Sequence, residues 1–292
     1  MTPIAEKKRQ QLLRFIEQVL APEDAVKGVV AIGSMASGYM HPDSDIDAVV
    51  FLDPYDLFIA PAEFKWNPVE DTYHSIFDDV PHSIPIDLAR IDLKKWADPE
   101  FVWPEGNRAE LSEGWLAYDP SGEIETLISQ KTIFNDDIRQ QRLDNALIWL
   151  DQHLAWVDPL EIWRIYGPVI AFDRLNAAYS YLVQALFAYN RKWQIWRNRE
   201  MQGLLRLPWL PPDFEQKVLM AANGSSLDET GYCSRFAALK ELFQDLLSEL
   251  TESGEYSTMP VDQAFIRQNQ EIGRAWNMAE WNRFHKLRKL SP

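Results

Sequence analysis

Gly33-Ser34, nine intervening residues and then Ser44-Asp45-Ile46-Asp47 form the part of the chain with the clearest chemical content. Gly33 closes a Val-rich run, so the Gly33 and Ser34 amides can face outward at the start of a helix, where they suit a phosphate. The Ser34 hydroxyl adds a donor. Asp45 and Asp47 are two apart on an expected strand, so both side chains leave the same face. Two carboxylates on one face repel unless a cation lies between them, and their hard oxygens suit Mg²⁺. A third acid is expected from a neighbouring strand, and Asp87 fits. Ile84, Ile86 and Leu88 share one parity and read as core, which leaves Asp87 on the open face with Ser83, Pro85 and Ala89, whereas Asp92 has the wrong parity. Glu63, Glu70, Asp71, Asp78 and Asp79 read as solvated. Three carboxylates holding one or two Mg²⁺ beside a phosphate-cradling turn make a site for phosphoryl or nucleotidyl transfer. Ser44 reads first as a turn cap and second as a nucleotide contact. His41 and His82 read as surface loop residues, and no Ser-His-Asp pattern accompanies them.

These residues need elements to hold them. An apolar stripe through Leu12, Leu13, Phe15, Ile16, Val19 and Leu20 predicts a helix over 4–20, stopped before Pro22. Val26–Ile32 and Asp45–Leu52 read as strands, as does Ser83–Ile91. The segment 54–82 carries four prolines and no clear strand. Within it, Asn67-Pro68-Val69-Glu70 has the form of an N-cap, a first-turn proline and a capping-box glutamate, which predicts a helix to about Phe77. A turn at 118–122 precedes a helix from about Glu123. Beyond 135 the period turns helical, over Asp136–Trp156, Leu160–Tyr189, Pro212–Ala222, Ser234–Leu250 and Val261–Lys289, with Gly167-Pro168 expected to kink or split the second. Trp149, Trp156 and Trp163 read as a core stripe, although Asp158-Pro159 interrupts it.

The run AIGSMASGYMHPDSDIDAVVF resembles the signature of the nucleotidyltransferase superfamily, which includes DNA polymerase β and the aminoglycoside nucleotidyltransferases. The likeness covers roughly residues 26–91. A softer one joins the helical half, especially ALFAYNRKWQIW, to antibiotic-modifying members and their bacterial relatives. Element order, helical spacing beyond 135 and the resemblance together give the expected chain as α+β: a small mixed-sheet nucleotidyltransferase-like catalytic domain over 1–130, then an all-α domain over 131–292. The resemblance implies Gly33 and Ser34 as nucleotide-binding, with Asp45, Asp47 and, less directly, Asp87 as catalytic metal ligands. The implied reaction is Mg²⁺-dependent transfer of a nucleoside monophosphate from an NTP to a hydroxyl of a small polar acceptor, releasing pyrophosphate. A nucleotide-sensing or partner-binding module on the same fold, or transfer to a protein side chain, are the alternatives. The arginine-rich signatures of enzymes acting on tRNA ends are missing, which argues against an RNA substrate.

Composition narrows the partners. The 292 residues carry a net charge of −15. Residues 1–130 hold 24 acids against 10 bases, and residues 131–292 hold 20 against 19, so a boundary is expected near 125–135. Such an acidic chain has few cations with which to displace counterions from a nucleic-acid backbone. A triphosphate therefore has to find cations in the second half, where Arg164, Arg174, Arg191, Lys192, Arg197 and Arg199 lie close in sequence. Lys192, or Arg191 beside it, is the candidate contact to the triphosphate; the competing reading is a solvated helix end favoured by the helix dipole. One cysteine, Cys233, excludes an intramolecular disulfide and fits a cytoplasmic setting. No apolar window is long enough to span a membrane, and the charged amphipathic start does not read as a secretory signal. A homo-oligomer is left open.

Overall fold

The computed structural model describes residues 2–38, 40–224, 226–269 and 278–290. The chain divides into two compact units, Met1–Ile133 and Phe134–Pro292.

The first unit opens with α1, Pro3–Phe15, whose Thr2 cap accepts from the Ala5 amide at 3.2 Å and whose last turn widens to a π-helix over Ile16–Leu20. Strands β1 (Val26–Ala31) and β2 (Ile46–Leu52) flank a short helix α2 (Gly33–Ser37). Strands β3 (Glu63–Asn67), β4 (Thr72–His74) and β5 (Ile84–Asp92) follow. Helices α3 (Leu93–Ala97) and α4 (Glu105–Glu113), strand β6 (Trp115–Tyr118) and α5 (Glu123–Lys131) complete the unit. The sheet order is β4-β3-β5-β2-β1-β6. Only β2 and β5 pair in parallel; the other pairings are antiparallel, so the sheet is mixed and the unit is α+β.

Both faces of the sheet are covered. Ile46, Ala48, Val50 and Leu52 of β2 join Ile84, Ile86 and Leu88 of β5 and the buried side of α1 in one core. There Phe15 packs against Phe64 and Trp66, with ring centroids 5.5 and 5.2 Å apart. The opposite parity, Val49, Phe51 and Ile91, meets Trp103, Leu111, Ile124 and Leu127 in a second core. Asp47 and Asp87 belong to this second face, in the first halves of their strands.

The helix expected over 67–77 is instead a hairpin. Asn67 is buried, and its side-chain oxygen accepts from the amides of Val69 and Glu70 at 3.0 and 3.3 Å. Those are the bonds an N-cap would make, but here they close a turn, because Phe64 and Trp66 gain more by lying in the core than the segment gains by continuing as a helix. Asp71 takes a φ of 52° and the chain returns as β4. Proline content had hidden both strands.

The second unit is helical: α6 (Asp136–Leu154), α7 (Leu160–Tyr189), α8 (Glu200–Leu204), α9 (Phe214–Asn223), α10 (Glu229–Glu252), α11 (Pro260–Asn269) and α12 (Met278–Leu290). Gly167, at φ 79°, breaks α7 before Pro168, as expected. Leu143, Leu147 and Leu150 of α6 meet Leu175, Leu182 and Leu186 of α7 and Leu239, Leu242 and Leu246 of α10 in its core. The continuous helix expected over Val261–Lys289 runs through residues 270–277, which lie outside the described residues. Trp156 and Trp163 pack on the core, but Trp149 does not complete a stripe: it is 41% exposed and lies nearly parallel to Tyr181. No helix among the described residues is long and apolar enough to cross a membrane.

Candidate functional site

The expected site residues Gly33, Ser34, Ser44, Asp45, Asp47 and Asp87 all lie in the first unit. As β1 ends, the Ile32 amide donates to the Asp47 carbonyl at 3.0 Å, tying the turn to β2. Gly33 then takes a φ of 66°, in the left-handed region. A Cβ there would stand 2.0 Å from Asp47 Oδ2 and 2.9 Å from Asp47 Cβ. Glycine is thus required twice, once by the backbone and once because the Asp47 side chain lies against the turn. Gly38, at φ 78°, ends α2 and donates its amide to the Ser34 carbonyl at 3.0 Å. Ser34 Oγ is buried and has no hydrogen-bond partner among the described residues.

Ser44 sits in the approach to β2, where its hydroxyl oxygen accepts from the His41 amide at 3.0 Å. Turn closure therefore uses one of its lone pairs and leaves its hydrogen for another acceptor. Asp45 is exposed just ahead of the strand, and Asp47 is half-buried one residue inside it. Parallel register sets Asp47 directly beside Asp87 across β2–β5. On the other side of Asp87, antiparallel register sets Glu63 opposite it across β3–β5. Three adjacent strands thus carry Asp47, Asp87 and Glu63 in one row. Burial pushes the Asp87 carboxyl above the usual carboxylate range, and the negative charges of Glu63 and Asp45 push the same way. Glu63 read as a solvated acid in the sequence. Its membership of the row depends on β3 existing and on its register, neither of which local composition signals. Asp92 caps α3, its side chain accepting from the Lys95 amide, in keeping with its parity.

Lys192 belongs to the second unit, in the turn that closes α7, where its amide donates to the Phe187 carbonyl at 2.9 Å. The neighbouring cations engage partners within that unit: Arg191 pairs with Asp136, Arg164 with Asp158, and Arg174 donates to the Gln152 carbonyl.

Residues 11–95 match the family model of the nucleotidyltransferase domain, a span that contains the turn, both strands of the aspartate row and Glu63. Residues 11–95 are a nucleotidyltransferase domain. No curated protein matches it significantly. Among solved structures it is similar to a nucleotidyltransferase-like protein from Exiguobacterium sibiricum 255-15, at 12% identity over 95% of this chain and 86% of that one, with a TM-score of 0.42. A likeness of that size says nothing about activity.

The nucleotidyltransferase domain offers hard oxygen donors. Among the described residues no three His, Cys, Asp or Glu side chains close into a group that could hold a metal ion unaided. Mg²⁺ does not need such a cage, since it keeps several waters and is commonly held by one or two carboxylates together with substrate phosphates. Asp45 and Asp47, beside a turn with an unpartnered buried hydroxyl at Ser34, fit that mode. Burial raises Asp87 most, and the part of its shift that comes from the negative charges of Glu63 and Asp45 is what a divalent cation would relieve.

Proposed function

We propose that this nucleotidyltransferase moves a nucleoside monophosphate from an NTP to a hydroxyl of a small polar acceptor, with Mg²⁺, and releases pyrophosphate. The observation that carries the reading is the row Asp47–Asp87 in register, set against a glycine turn that admits no side chain at position 33. In this reading the Gly33-Ser34 turn and the Ser34 hydroxyl hold the nucleotide phosphates. Asp45 and Asp47 would hold Mg²⁺, which when bound neutralises charge on the transferring phosphoryl group. The acceptor oxygen forms a bond to the α-phosphorus while the bond from that phosphorus to the α,β-bridging oxygen breaks, and pyrophosphate departs. Asp87, whose raised proton affinity suits a base, takes the acceptor's hydroxyl proton.

Calorimetry with ATP and GTP, with and without Mg²⁺, tests the binding half. Binding should require Mg²⁺ and be lost in an Asp45→Asn, Asp47→Asn double variant. Triphosphate binding that ignores both changes sinks the metal-dependent reading and leaves a nucleotide-binding module in its place. A pyrophosphate-release screen of the four NTPs against polar metabolites and antibiotics tests the chemistry. Label from radioactive ATP on a protein band would move the acceptor from small molecule to protein.

A further inference from the structure

Lys8 of α1 is only 8% exposed, yet its ammonium makes no hydrogen bond or ion pair among the described residues. Burying a cation without a partner is costly, and a lysine at this depth ordinarily has a carboxylate or carbonyl in reach. Lys8 instead lines an open cleft of about 430 Å³ with Lys7, Gln11, Asp43, Ser83 and Pro85. Asp45 and Asp43 act on it through space, and burial outweighs them, pushing its ammonium below the ordinary lysine range; Lys7 adds like-charge repulsion. One helical turn on, Gln11 also has its side-chain oxygen buried without a partner. The cleft thus lies beside Asp45 and at the entry to β5, with two cations on one wall.

We propose that this cleft is an oxyanion subsite, in which Lys8 holds a phosphate or carboxylate group of a molecule bound beside Asp45. An anion in the cleft supplies the Lys8 ammonium with a partner and relieves its repulsion with Lys7. The inference rests on the nucleotidyl-transfer reading only for which molecule carries the group: the nucleotide itself or an acidic acceptor.

The unaltered chain can be treated with pyridoxal 5′-phosphate and cyanoborohydride, then mapped by peptide mass. The aldehyde condenses with a lysine amine, releasing water, and the reagent's hydride reduces the imine. Lys8 should be labelled about tenfold more by pyridoxal 5′-phosphate than by phosphate-free pyridoxal, and inorganic phosphate without metal or nucleotide should block it. Equal labelling by the two aldehydes, or no protection by inorganic phosphate, overturns the subsite. Protection by saturating Mg²⁺–ATP would assign the group to the nucleotide. Continued labelling in that complex, still blocked by inorganic phosphate, would assign it to the acceptor. The phosphate arm uses neither nucleotide nor Mg²⁺, so it decides the subsite even where ATP fails to bind and the transfer reading falls.

Discussion

Asp47 and Asp87 are direct neighbours across the one parallel strand pair of the sheet, in the first halves of β2 and β5, on the face that carries the second core but outside that core. Parallel pairing allows no slip here. A one-residue shift would turn Ile84, Ile86 and Leu88 out of the core, so the burial of three aliphatic side chains holds two like charges side by side. Burial, Glu63 and Asp45 together raise the proton affinity of Asp87 at the place where a cation or a proton would be used.

That relationship predicts opposite effects on stability and on activity. Asp87→Asn removes a carboxylate that burial, Glu63 and Asp45 all disfavour in its charged form. Because the folded-state proton affinity of Asp87 is raised, its effect on the fold is least unfavourable at low pH and grows unfavourable as pH rises through its own titration. At neutral pH in EDTA the variant should therefore melt above the unaltered protein, and the gap should narrow towards pH 3. Turnover in the pyrophosphate-release assay should fall about 10²- to 10⁴-fold. A lower melting temperature at neutral pH would contradict the like-charge account.

Gly33→Ala and Gly38→Ala form a matched pair. Both glycines have positive φ, but a Cβ at Gly38 would meet nothing within 4 Å, whereas at Gly33 it would collide with Asp47. Backbone strain of about 1–2 kcal/mol is common to both. Gly33→Ala should cost at least about 1 kcal/mol more in urea unfolding, since the Asp47 side chain or its strand must shift, and nucleotide binding should suffer only there. Equal losses would show that the turn tolerates a side chain.

Ser34→Ala separates binding from folding. The hydroxyl oxygen is buried and unpartnered, so its removal should leave the unfolding midpoint unchanged or slightly raised. The Kd for Mg²⁺–NTP should rise about tenfold, the loss of one hydrogen bond to a charged group. A destabilised variant with unchanged Kd would make Ser34 purely structural.

In the second unit, Asp144 is 4% exposed, accepts from Tyr256 at 2.7 Å and receives Arg267 in a two-pronged bond at 2.8 and 2.6 Å. Burial and the Asp144 carboxylate together push the Tyr256 hydroxyl well above its ordinary range. Arg267→Met should cost about 3–5 kcal/mol, because it leaves the Asp144 carboxylate buried without its countercharge. Asp144→Asn in the same background should restore part of the loss. Additive losses in this double-variant cycle would count against a coupled pair.

The Gly-Ser turn, the strands on either side of it and the α7 break were legible because each rests on short-range rules. Period-two alternation names the faces of β5, and the positive φ at Gly33 and Gly167 favours glycine. The hairpin at 63–74 was not legible, since the Asn67 side chain makes the same two bonds in a turn as at a helix start and only the core position of Phe64 and Trp66 chooses between them. By itself the sequence determined which side chains share a face. Tertiary structure alone decided which strands are neighbours, and so that Asp87 stands between Asp47 and Glu63 and that Lys8, seventy-nine positions earlier in the chain, is buried where Asp45 feels its charge. Strand order and register depend on burying the whole sheet at once, which no local window of residues contains.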